Sequence, residues 1–88
     1  MFARVDGVSA ERSGERTVVL DASGTVLTTL SPVGTIVWEA LPGDRADLLE
    51  HLGTLFPEVE HDVLDSDLAL FIDELVAVEL IVRVDAAG

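Results

Sequence analysis

The sequence predicts a small α+β domain, winged helix-turn-helix-like, with a three-stranded antiparallel sheet followed by three helices. Three observations carry that expectation. Eighty-eight residues, 49% of them apolar and 25% charged, suit one packed domain spanning 1–88 and leave no room for a second. Apolar residues recur at strand-like spacing up to Leu30 and at helical spacing after Pro32. Pro32, Pro42-Gly43 and Pro57 then mark the boundaries of successive helices.

The strands occupy residues 5–30. Val8 and Ala10 stand between polar residues in the stretch from Val5 to Arg12, a weak strand, and Ser13-Gly14-Glu15 turns the chain. Arg16-Thr17-Val18-Val19-Leu20-Asp21 is the strongest strand signal, β-branched and bounded by charge. Ala22-Ser23-Gly24 forms the next turn, and Thr25, Val26, Leu27, Thr28, Thr29 and Leu30 form the third strand. Tight turns of this kind make the three an antiparallel meander.

The helices occupy residues 32–78. Ser31 can cap the first free amides of a helix, and Pro32 lacks only a donor that would have no partner there. The first helix has its apolar face at Val33, Ile36, Val37, Ala40 and Leu41. Asp44 caps the second, whose face is Leu48, Leu49, Leu52, Leu55 and Phe56 before Pro57 stops it. The third runs from Asp62 to Val78 with a core stripe of Leu64, Leu68, Phe71, Leu75 and Val78. Ala69, Ile72 and Val76 make a second stripe, about 80° further round. A helix apolar over so wide an arc has two partners, or one partner and an unfilled groove. Leu80-Ile81-Val82 reads as a short closing strand, with the residues after it frayed.

Charge excludes several functions. Seventeen Asp and Glu face five Arg and no Lys, a net charge of −12, which repels nucleic-acid phosphate and anionic membranes. The third helix carries acids and no base, against a transcription regulator that docks it on DNA. No cysteine is present, so disulfides and thiol chemistry are excluded. The N-terminal residues do not form a signal peptide and no apolar run reaches membrane-spanning length, which predicts a cytoplasmic protein. His51 and His61 lie on different elements without a third ligand, and Asp65-Ser66-Asp67-Leu68 departs from both the carrier-protein Asp-Ser-Leu motif and a calcium loop. No nucleophile, metal or phosphate motif appears, so no enzyme activity and no cofactor are expected.

Particular residues narrow the fold. Leu20-Asp21-Ala22-Ser23-Gly24, then Leu30-Ser31-Pro32-Val33-Gly34, then Ile36-Val37-Trp38-Glu39 resembles the PqqD-like family. These are the peptide chaperones also called RiPP recognition elements, which serve ribosomally made, modified peptides. Asp67-Leu68-Ala69-Leu70-Phe71-Ile72-Asp73-Glu74-Leu75 is similar to the family's last helix, and Glu79-Leu80-Ile81 stands where a Gly-Leu-Leu or Gly-Leu-Ile is usual. The resemblance spans about Val8 to Val82. Two departures stand out: Val26, Leu27 and Thr28 replace frequent aromatics, and Glu79 replaces a common glycine.

The resemblance implies binding without catalysis. A precursor's leader peptide would join the free edge of the third strand, Thr25 to Leu30, over the third helix. An edge strand offers unpaired amides and carbonyls to an extended peptide, and no Lys or Pro blocks this one. Ala69, Ile72 and Val76 would floor the groove, Asp65 and Asp73 would attract a basic leader, and Thr28→Pro would remove an edge amide. The likeness is closest to standalone lasso-peptide leader-binding proteins, implying a leader peptidase and a ring-forming cyclase as partners. The open edge also suits a dimerisation module or a homodimer.

Overall fold

The structure is a computed structural model and describes residues 1–84; residues 85–88, where fraying was expected, lie outside the described residues. The order is β1 (Phe2–Arg4), β2 (Ser9–Ser13), β3 (Arg16–Leu20), β4 (Leu27–Leu30), α1 (Pro32–Ala40), α2 (Arg45–Leu55), α3 (His61–Ala77) and β5 (Ile81–Arg83). The expected meander is β2-β3-β4, antiparallel throughout, with three helices after it. The inner face of the sheet presents Val19 and Leu30 to Val37, Trp38 and Leu41 of α1 and its end, Leu48 and Leu52 of α2, and Leu64, Leu68, Ile72 and Leu75 of α3. Among the described residues, no helix is long and apolar enough to cross a membrane.

The stretch read as one weak strand from Val5 forms a strand only from Ser9, and a further strand that was not expected, β1, precedes it. Gly7 breaks it at φ 89°, in the left-handed region, and a Cβ there would lie 3.3 Å from the Cβ of Ala22. β2 follows that break. Before it, β1 pairs antiparallel with β5 as a separate ribbon, Phe2 opposite Arg83 and Arg4 opposite Ile81. Nothing local marks Phe2–Arg4 as a strand, because its partner comes from the other end of the chain. Arg4 fastens the ribbon to α1: its Nη2 donates to the Trp38 carbonyl at 2.6 Å, with the guanidinium over the indole ring.

The third strand begins two residues later than expected. The Asp21 Oδ1 accepts the amides of Thr25 (2.8 Å) and Val26 (3.0 Å), and its Oδ2 accepts the Ser23 hydroxyl at 2.7 Å. These bonds hold Thr25 and Val26 in the turn, so β4 starts at Leu27. Ser31 caps α1 as expected, accepting the Gly34 amide at 3.0 Å. Asp44 stands at the start of α2 but makes no cap bond; its carboxylate instead meets the Met1 ammonium at 3.1 Å.

On α3 the buried line runs through Leu64, Leu68, Ile72 and Leu75, so Ile72 belongs to the core and Phe71 and Val78 do not. Phe71 is half-buried against α1, where a Cβ on Gly34 would come within 2.6 Å of its ring. Only glycine permits that approach. The helix closes with the Glu79 amide on the Val76 carbonyl and the Leu80 amide on the Leu75 carbonyl, which puts Glu79 at φ 62°.

Candidate functional site

β4 is the outer strand of its sheet, bonded to β3 on one side only. Its register decides which backbone groups are free. The Asp21 amide donates to the Val26 carbonyl at 3.1 Å, which makes 21–26 a bonded pair. Bonded pairs alternate along an antiparallel ladder, so Val19–Thr28 and Thr17–Leu30 are bonded and Leu20–Leu27 and Val18–Thr29 are not. The N–H and C=O of Leu27 and Thr29 therefore point to the open edge, while those of Thr28 and Leu30 face β3. A Thr28→Pro change thus removes a ladder bond and not an edge amide, the reverse of what the strand pattern suggested. Leu27 and Thr29 also show their side chains on the exposed outer face, and Thr28 and Leu30 turn inward.

α3 passes this edge in the opposite direction. Phe71 sits at Gly34, just beyond the end of β4, and Val76 and Glu79 share a hollow with the Asp21–Ser23 turn that precedes it. One flank of α3 opens a cleft of about 310 Å³ toward the start of α1, between Asp67, Leu70, Phe71 and Glu74 on one side and Ser31 and Val33 on the other. Leu70 is 62% exposed there, the most exposed of the large apolar side chains on α3 among the described residues. Asp67 and Glu74 rim the cleft and no basic side chain lines it.

The expected floor residues lie elsewhere. Ala69, Ile72, Asp73 and Val76 line a trough of about 410 Å³ on the opposite flank, facing Phe2, Arg45 and Arg83. Asp65 is on that flank too, 2.7 Å from Arg45 Nη2. None of Thr25 to Leu30 lines that trough, so the structure does not bring the expected edge and these α3 residues into one pocket. The β1–β5 ribbon borders that trough through Phe2 and Arg83. The cleft residues that the sequence reading did not name as site residues are Val33, Asp67, Leu70, Phe71 and Glu74. Their signal was present: on a helical wheel 67, 71 and 74 share one side, with 70 next to them.

The electrostatics are simple. The Asp21 carboxyl is held below its ordinary 3.8, chiefly by the Val26 amide and then by the Ser23 hydroxyl. His51 and His61 are exposed, and among the described residues no group of three His, Asp or Glu is placed to hold a metal ion.

Comparison with known proteins bears on this geometry. The family model of coenzyme PQQ synthesis protein D (PqqD) matches residues 16–81, from β3 into β5. Two solved structures share the fold. TbiB1 in complex with the TbiA(beta) leader peptide superposes with a TM-score of 0.85 at 19% identity, covering 94% of this chain and 98% of that one. Lasso peptide synthetase B1 complexed with the leader peptide gives 0.78, also at 19% identity, over 93% of this chain and 98% of that one. No curated protein sequence matches the chain.

Proposed function

The chain belongs to the PqqD family, and from that membership we propose that it binds the leader segment of a ribosomally made precursor peptide, of the lasso class, without catalysing a reaction. The observation that carries the reading is the open β4 edge. The outward amides and carbonyls of Leu27 and Thr29 lie on the strand that runs directly into Ser31 and α1, where a cleft opens with exposed Leu70 and half-buried Phe71. An extended peptide completes those backbone bonds in a sequence-tolerant way, and the cleft selects an apolar side chain. Asp67 and Glu74 favour a basic residue next to it. Both solved structures that share the fold hold a leader peptide, which supports this use of the same architecture. Delivery of the bound leader to a leader peptidase and a ring-forming cyclase, in the cytoplasm, completes the proposed role.

The test is fluorescence anisotropy with a labelled precursor leader. Thr29→Pro removes an outward amide at a position where an edge strand tolerates proline, so the fold persists and affinity falls at least tenfold. Retained affinity in a folded Thr29→Pro variant would place the site elsewhere. A scrambled leader that binds equally well would remove the specificity claim.

A further inference from the structure

The cleft at the start of α1 is shaped by a glycine that the helix itself does not call for. Gly7, Gly14 and Gly24 take positive φ, but Gly34 lies in the first turn of α1 with ordinary helical backbone. Alanine suits such a position better than glycine does. What Gly34 permits is an approach. A Cβ there would lie 2.6 Å from Cε1 and 3.2 Å from Cδ1 of Phe71, so the edge of the ring rests on the bare backbone of α1. The next nearest atom, also at 3.2 Å, is the Ser31 Oγ that caps the helix.

The seated ring decides how much of the cleft stays open. Gly34 and Phe71 both line it, backed by Val37, Leu52 and Leu68, each at most 2% exposed. That packed floor leaves no space for the ring to sink into. The rim, by contrast, is open: Val33 of α1 is 36% exposed and Leu70 of α3 is 62% exposed. A ring lifted off Gly34 therefore moves outward, into the cleft of about 310 Å³.

We infer that Gly34 and Phe71 together set the size of the side chain that the cleft admits. Gly34 is the seat that holds the ring back, and Phe71 is the wall that an incoming side chain meets. β4 runs directly into Ser31, so an extended segment laid along Leu27–Leu30 carries a side chain to this point. The inference rests on the reading of β4 as the leader edge and adds the chemistry of the leader there: one large apolar residue where the segment passes Ser31. Packing alone would make Gly34 matter for stability and leave the choice among incoming side chains untouched.

The test titrates short capped threonine peptides into the ¹⁵N-labelled protein, each with one guest residue (alanine, leucine or tryptophan) followed by lysine. Saturable amide shifts at Leu27 and Thr29 report strand addition and give the affinity. The wild type is expected to bind the leucine guest about tenfold more tightly than the alanine guest. Gly34→Ala pushes the ring outward and removes that preference. Phe71→Ala takes the wall away and moves the preference to tryptophan. In the double variant Gly34→Ala/Phe71→Leu no ring has to be displaced, and the preference for leucine over alanine returns. Phe71→Ala leaves Gly34 and its cap untouched and carries the test should Gly34→Ala misfold. Equal binding of all guests by the wild type, or one order of guests in the wild type and every folded variant, would overturn the size role and leave the β4 edge standing. No saturable shift at Leu27 and Thr29 with any guest would overturn both.

Discussion

Glu79 and Asp21 show how much a single side chain settles here. Glu79 sits at φ 62°, a conformation that costs an ordinary residue about 1–2 kcal/mol and glycine almost nothing. The family's common glycine at this point is thus explained by the end of α3 and not by the ligand. Glu79→Gly is expected to stabilise the fold by about 0.5–1 kcal/mol, the strain relieved being partly offset by the freer unfolded chain, and urea denaturation measures it. Asp21 acts through its charge. Its folded carboxyl titrates below the ordinary 3.8, so its contribution is complete above that value and fades as pH falls through the lower folded value. Asp21→Asn keeps the shape without the charge, and the wild type's advantage over it should shrink between about pH 5 and pH 3. Urea midpoints at the two pH values read the difference. An unchanged gap would mean that the turn is held by shape alone.

At the scale of elements, α3 is a divider. Its buried line through Leu64, Leu68, Ile72 and Leu75 leaves one flank to the cleft beside β4 and the other to the trough beside β5. Helical spacing in the sequence revealed that the apolar arc was too wide for one partner, but not which flank went with which strand. Glu74 separates the two possibilities. It lies on the cleft side and is exposed, so Glu74→Arg should leave stability within about 0.5 kcal/mol. The same change should weaken binding of a leader with a basic residue several-fold, most at low salt. The matching change at Asp73, on the trough side, should have a smaller effect on that leader. Anisotropy titrations of both variants decide the pairing; a larger loss at Asp73 would return leader binding to the flank that the sequence pattern favoured.

Across the whole molecule, one core of thirteen buried apolar side chains among the described residues joins the meander, the three helices and the start of β5. The net charge of −12 is spread over the outside of that core, and three of the five arginines tie one element to another. Arg4 ties β1 to α1, Arg12 reaches Glu39 of α1 at 2.7 Å, and Arg45 joins α2 to α3. Exposed pairs of this kind contribute at most about 1 kcal/mol each, so they orient elements more than they stabilise them. Arg83 faces the trough together with Asp73 and has no carboxylate within ion-pair distance among the described residues.

Local features were legible in the sequence. Turn residues, the Ser31-Pro32 start and the change of period give the meander and the three helices to within a few residues, because each depends on neighbours in the chain. The edge of the third strand was equally legible, as the last strand before the helices has only one sequential neighbour to pair with. What needed the tertiary structure was every fact set by distant partners. The β1–β5 ribbon pairs Phe2–Arg4 with Ile81–Arg83, and it lines one trough with Ala69, Ile72 and Val76. The direction of each edge amide was likewise decided by ladder parity, which starts from the Asp21–Val26 bond and turns Thr29, not Thr28, toward solvent. A strand's composition does not record that parity, because moving the register by one residue exchanges every inward amide for an outward one.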